Sequence, residues 1–329
     1  MKKWVGFVLI FLSTLVILFG LPLLGRRMID PYSLFLGKTD DYLAKTYWSL
    51  RFPRTLIALV AGAGLSSAGM VFQAIFRNSL ATPFTLGISS GASFGVAFYL
   101  VACPPFFVLG LGGEIWFSLA GTALAMFTVY LLSRADSVSS EQMLLAGVAV
   151  SFFFSSMILF MQYLSDQSQM FRMMRWVMGG LADTLPVHLW ILVPMTMGII
   201  AVLYCFTREL NLILTGNDRA MTTGVDVTRT RMTLFFLTSL MIGVIVSFCG
   251  PIGFVGLMIP HVCRLMTGPD HRRLFPITIW LGGIFLACSD TLARTILTLE
   301  EVPVGVLTSL LGGPFFLWLL LRNRSTCQD

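Results

Sequence analysis

The chain is 329 residues long, 56% hydrophobic and only 12% charged, with a formal net charge of +6. Soluble domains carry about a quarter charged residues, so this composition excludes an ordinary soluble globular protein. The positive balance is not a nucleic-acid footprint, because no basic stripe alternates with aromatic residues.

A hydrocarbon core about 30 Å thick takes roughly 20 apolar residues per helical crossing, and stretches of that kind recur along the whole chain. Hydropathy predicts ten spans, near residues 4–24, 54–76, 86–102, 114–132, 142–164, 188–206, 232–249, 252–266, 275–293 and 304–321. The expectation is an all-α polytopic membrane protein of about ten transmembrane helices. No long polar linker interrupts the spans, so residues 1–329 are expected to form a single integral membrane domain. The opening stretch MKKWVGFVLIFLSTLVILFGLPLLGRR has the basic start of a signal peptide. Its apolar run exceeds the usual signal-peptide core of about 7–15 residues and no A-x-A-like site follows, so it reads as a retained first span.

Between the first two spans, residues 26–54 hold Arg26, Arg27, Lys38, Lys45, Arg51 and Arg54. Ten spans place both termini on one side. With the termini in the cytoplasm, thirteen of the 22 basic residues lie inside, a bias of the expected sign. The 26–54 loop then lies outside and opposes that bias. It reads either as snorkelling side chains near a helix end or as a docking surface for something acidic. Arg51 and Arg54 flank Pro53 at the predicted start of the second span, where proline presets the backbone and the helix dipole turns its positive end outward. That is a poor place for arginines unless an anion arrives, either a partner's carboxylates or lipid phosphates. In the same loop Gly37-Lys38-Thr39 has the look of a P-loop ending, but Tyr32 stands where the first glycine is required, so no nucleotide site is predicted.

The second span carries Ala58, Gly62 and Ser66 at fourfold spacing, with Gly64 and Ala68 on a neighbouring stripe. Small residues so spaced let helix backbones approach closely in lipid, whether within one chain or across a dimer. Gln73, Asn78 and Ser79 mark an inner turn whose backbone groups need polar company. The segments near 86–102 and 252–266 are short and glycine-rich, and Pro251 and Pro260 bracket the second, so broken or tilted helices are expected there. The six cysteines (Cys103, Cys205, Cys249, Cys263, Cys288 and Cys327) form no C-x-x-C pair and read as small apolar residues. His188, His261 and His271 show no metal-ligand spacing. Glu114, Glu141 and Asp290 fall near span ends, leaving span interiors almost free of carboxylates. That weighs against an ion-coupled secondary carrier or a polytopic membrane enzyme, the alternative classes.

Three blocks resemble one family. RFPRTLIALVAGAGLSSAGMVFQAIFRNSLATPFTLGISSGASFG, GPIGFVGLMIPHVCRLMTGPDHRRLFP and EEVPVGVLTSLLGGPFFLWLLLRNR are similar to the signatures of the FecCD-type permeases, which serve iron-siderophore, haem and cobalamin uptake in ABC importers. The resemblance runs from about residue 50 to the C-terminus. One departure is Asn78-Ser79-Leu80-Ala81-Thr82-Pro83, where the family usually reads N-P-L-A-x-P. The resemblance implies a cobalamin-permease-like fold with ten helices per subunit, in a bacterial or archaeal cytoplasmic membrane with both termini cytoplasmic. It also implies a second permease copy as homodimer partner and two cytoplasmic ABC ATPase subunits. These subunits would carry the ATP and Mg, with no cofactor in this chain. Cargo would arrive on a periplasmic or lipid-anchored substrate-binding protein. Arg51, Arg54 and Arg294 match positions that receive carboxylates from that protein. The loop at about 208–231 matches the family's ATPase-coupling loop, its pattern falling on Leu214, Gly216, Asn217, Ala220, Met221, Gly224 and Val225, with small Ala220 expected at a close contact between proteins. Ser139 and Ser140 match positions that narrow the inner gate. The expected function is inward movement of a metal chelate by a chain that does no covalent chemistry itself.

Overall fold

The computed structural model describes residues 12–25, 27–36, 40–133, 140–297 and 301–325. Arg26, the Gly37-Lys38-Thr39 stretch, Ser139 and Cys327 lie outside the described residues. Among these residues six helices are long and apolar enough to cross a membrane, and four shorter apolar helices accompany them. In chain order the elements are α1 (Leu12–Leu23), the short helices α2 (Pro31–Phe35) and α3 (Asp41–Thr46), then α4 (Phe52–Ile75), α5 (Ile88–Ala102), α6 (Gly113–Ser133) and α7 (Ser140–Leu164). There follow α8 (Gln167–Val177), α9 (Leu189–Cys205), the short pair α10 (Thr207–Leu214) and α11 (Asn217–Thr222), and then α12 (Val227–Cys249), α13 (Val255–Thr267), α14 (His271–Ile296) and α15 (Val304–Ser325). A two-stranded hairpin, β1 (Phe107–Val108) with β2 (Leu111–Gly112), precedes α6; its turn residues Leu109 and Gly110 both have positive φ, 53° and 76°.

Helix α4 is the axis of the molecule. Most of its residues are buried, and its small side chains set the distance to its neighbours. A Cβ on Gly62 would stand 2.2 Å from the carbonyl oxygen of Gly282 in α14, and one on Gly69 would stand 1.8 Å from that of Gly256 in α13. Ser66 Oγ donates to the Thr278 carbonyl at 2.9 Å, a polar tie that replaces packing volume at the same contact. The small-residue stripe is therefore spent on packing within the subunit, where backbone approach gives helices their attraction in lipid. The same device joins α5 to α6, with Gly91 against Gly121 and Gly95 against the Phe117 carbonyl.

One expectation fails at the start of α4. Pro53 does not begin a helix. A π-helical turn, Tyr47–Arg51, carries α3 into α4 without a break, and the Phe52 amide reaches back five residues to the Tyr47 carbonyl. Proline has no amide to contribute to the regular ladder, and the widened turn absorbs that loss. Arg51 and Arg54 therefore lie inside one continuous helical segment, Asp41–Ile75, rather than at a dipole terminus.

The two short spans are short for a reason. Helices α5 and α13 have 15 and 13 residues, about 20 Å each, against a core of about 30 Å. Irregular backbone completes both crossings. Before α5 the turn is closed by Asn78, whose Oδ1 accepts the Leu80 amide at 2.8 Å and whose carbonyl accepts the Ala81 amide at 3.1 Å, so serine in place of the family's proline leaves it intact. Before α13 the chain turns on Gly250 (φ 65°) and Phe254 (φ 64°). The segments flanking 250–254 are tied together: the Gly180 amide donates to the Cys249 carbonyl at 2.8 Å and the Gly305 amide to the Gly179 carbonyl at 3.1 Å. Non-helical backbone at membrane depth is tolerated only when buried in protein or lining a cavity, and here it does both.

Candidate functional site: a cleft between an ionic cluster and a helical pair

A cleft of about 1020 Å³ opens between α5, α7, α13 and α15, walled at its ends by the 80–85 and 251–254 segments. Its surface alternates apolar groups such as Phe84 and Phe254 with the hydroxyls of Ser89, Ser93, Ser155 and Ser309, and no ionisable side chain lines it. Ser89 is 2% exposed and its hydroxyl has no protein partner. Among the described residues no group of three His, Cys, Asp or Glu side chains could hold a metal ion. The histidines serve the scaffold. His188 Nδ1 accepts the Leu185 amide at 3.1 Å, His261 faces the Phe315 ring, and His271 rests on Asn211 Oδ1.

At one end of the molecule α4 and α14 carry a buried ionic cluster. Arg54 Nε donates to both Asp290 oxygens at 3.1 Å and its Nη2 to Oδ1 at 2.8 Å. Its remaining edge, Nη1, donates to Glu301 Oε2 at 2.7 Å. Arg294, one helical turn beyond Asp290, places Nε 3.2 Å from Asp290 Oδ2 as an ion pair without hydrogen-bond geometry, and its Nη2 donates to Thr291 Oγ1 at 3.1 Å. Asp290 is 1% exposed, which is tolerable for a carboxylate only because two guanidiniums face it. Arg51 takes a different role. Its guanidinium donates to the backbone carbonyls of Pro22 and Arg27, fastening the segment after α1 to the start of α4. The three arginines thus converge on one end of the molecule, though none stands free. Their carboxylate partners, Asp290 and Glu301, were not foreseen as part of the site. The fourfold Asp290–Arg294 spacing was a legible hint; the Arg54 pairing, 236 residues apart in sequence, was not.

At the other end α10 and α11 form the compact pair where the coupling loop was expected. Gly216 (φ 129°) opens α11 and Gly224 (φ 84°) closes it. The Val225 amide donates to the Ala220 carbonyl and the Gly224 amide to the Met221 carbonyl, a Schellman arrangement. Leu214 and Met221 are exposed, whereas Ala220 is fully buried with Ile213 and Val227. Ala220 is small because it packs against its own chain, which corrects the expectation that it meets another protein. Two latches join the pair to the long helices. Arg77, itself at positive φ (49°), donates from Nε to the Ile213 carbonyl at 2.9 Å and from Nη2 to Asn217 Oδ1 at 2.6 Å. Asn211 Nδ2 donates to Asp270 Oδ1 at 2.7 Å, and this bond, with the Arg272 amide and nearby arginine charge, holds the Asp270 carboxyl below its ordinary range. Ser140 opens α7.

Apolar helices packed through glycines around a cleft, with irregular backbone in its wall, are the architecture of a polytopic helical membrane protein. The model of the FecCD transport family matches residues 8–322, and the chain belongs to that family. It is 36% identical over 330 residues to the hemin transport system permease protein HmuU of Yersinia pestis, covering 98% of this chain and 96% of the relative. It is 39% identical over 304 residues to the cobalamin import system permease protein BtuC of Halobacterium salinarum, covering 92% and 79%. A solved structure described as an inward-facing conformation of a provisionally assigned metal-chelate type ABC transporter superposes with a TM-score of 0.83 at 30% identity, covering 98% of this chain and 99% of the other. The chain is accordingly the membrane-spanning permease subunit of an ABC importer, and ATP is hydrolysed by separate subunits.

Proposed function

We propose that the cargo is a bulky metal chelate, of the class to which haem, cobalamin and ferric siderophores belong. The observation that carries this reading is the chemistry of the cleft: it is large, apolar and hydroxyl-lined, and offers no ligand for a bare metal and no charge for a small ion. A chelated metal brings its own ligands and asks the wall only for surface and weak hydrogen bonds, so it can enter and leave without a deep well. Two copies of this chain would enclose the pathway, and two ABC ATPases would dock on α10 and α11, whose exposed Leu214 and Met221 offer apolar contacts. The Arg51, Arg54 and Arg294 end would face outward toward a substrate-binding protein, with both termini cytoplasmic. Nucleotide-driven motion at α10–α11 would bias the cleft between its open states. The test is uptake of radiolabelled haem, cobalamin and a ferric siderophore by proteoliposomes holding the assembled transporter. ATP-dependent accumulation of one of them is expected; transport of a free metal ion or a small oxyanion, and of none of the chelates, overturns the reading.

A further inference from the structure

A docking role for the arginines meets a physical difficulty. The Arg54 and Arg294 side chains are 14% and 7% exposed, and each already faces a carboxylate. An incoming carboxylate needs a guanidinium edge, and the structure shows which one can be released. Asp290, 1% exposed, takes Nε and Nη2 of Arg54 on an edge closed to a partner. Glu301 takes Nη1 through one contact at 2.7 Å, and its side chain is 40% exposed in the segment that leads into α15. Among these five side chains three arginines meet two carboxylates, one net positive charge, and withdrawing Glu301 would raise it to two.

We propose that Glu301 is a resident substitute for the partner's carboxylate: it holds the outer edge of Arg54 while the permease is unoccupied and yields it to an acidic lobe of the binding protein, whereas Asp290 keeps the inner edge throughout and fixes the guanidinium's orientation. This rests on the docking reading above. The exchange is nearly neutral, one carboxylate leaving water as another returns, so docking does not strip a buried arginine of its counter-ion. Glu301 is then a positioning and selectivity residue. It keeps the cluster from capturing stray anions, and it sets the threshold a partner must exceed, because only a surface with several carboxylates outcompetes a single tethered one.

The experiment titrates the full-length permease, assembled with its ATPases in lipid nanodiscs, with the importer's own substrate-binding protein. Glu301→Gln is expected to tighten binding about two- to fivefold at low ionic strength, the scale of one exposed ion pair, and to speed labelling of Arg54 by phenylglyoxal, which reads an accessible guanidinium. Glu301→Asp, too short to hold Nη1, should give an intermediate gain. Unchanged or weaker binding with Glu301→Gln overturns the proposal. The docking reading has its own arm: Arg54→Gln removes the guanidinium while Asp290 and Arg294 remain each other's counter-ions, and should weaken binding at least about tenfold. Normal binding by that variant means docking lies elsewhere. Weakened binding by Arg54→Gln with no gain in Glu301→Gln leaves docking standing and removes Glu301 from it.

Discussion

Helices α4 and α7 are both apolar spans, 24 and 25 residues long, and α7 is the more apolar of the two. Yet 89% of the most apolar stretch of α4's segment is buried inside the molecule, against 22% of α7's. In a soluble protein the order would be reversed. Lipid tails are as apolar as leucine, so apolar area gives a helix no reason to leave them, and what draws helices together is close backbone approach and hydrogen bonding. Helix α4 has that through Gly62, Ser66 and Gly69. Helix α7 presents Phe152, Phe153, Phe160 and Tyr163 outward instead, a face for lipid or for a second copy of the chain.

The contrast can be broken most severely at Gly69. Its Cβ would stand 1.8 Å from the Gly256 carbonyl. Overpacking of a core usually costs about 1–3 kcal/mol by shifting side chains, but here the obstruction is backbone. Gly69→Leu is expected to yield no monodisperse peak in size-exclusion chromatography in detergent; a folded, well-behaved variant would show that α4 and α13 are not in the contact described. The next largest effect belongs to Asp290, which ties α4 to α14 at the ionic end. Asp290→Ala leaves the buried Arg294 guanidinium without its counter-ion and Arg54 with Glu301 alone, and should lower stability by about 3–5 kcal/mol, read as a fall in Tm of the purified protein. A shift no larger than that of an exposed ion-pair variant such as Arg175→Ala would refute the buried assignment. The smallest effect sharpens the comparison from the other side. Phe153→Ala, on a face 59% exposed, should change the stability of the single chain by no more than about 0.5 kcal/mol. Any loss should appear instead in association of two copies, read by mass photometry.

Much of this protein is a local property of its sequence. Among the described residues each of the six long apolar helices and the four shorter ones is announced by its own run of residues, because a span is decided by length and hydropathy. The ends of α11 are likewise visible in Gly216 and Gly224, because positive φ is a single-residue requirement. Even the brevity of α5 and α13 could be read from their glycines and prolines. Other features depend on residues far apart in the chain. The choice between dimer contact and internal packing for the α4 stripe was settled by Gly256 and Gly282, the inward turn of Ala220 by Ile213 and Val227, and the state of Arg54 by Asp290 and Glu301. The π-helical turn that removed the expected helix start at Pro53 also escaped local rules. The sequence by itself determined which segments cross the membrane, because partition into lipid is summed along a short stretch of chain. Only the tertiary structure decided which small residues touch and which charges are paired, because both depend on distances between helices that no local pattern records.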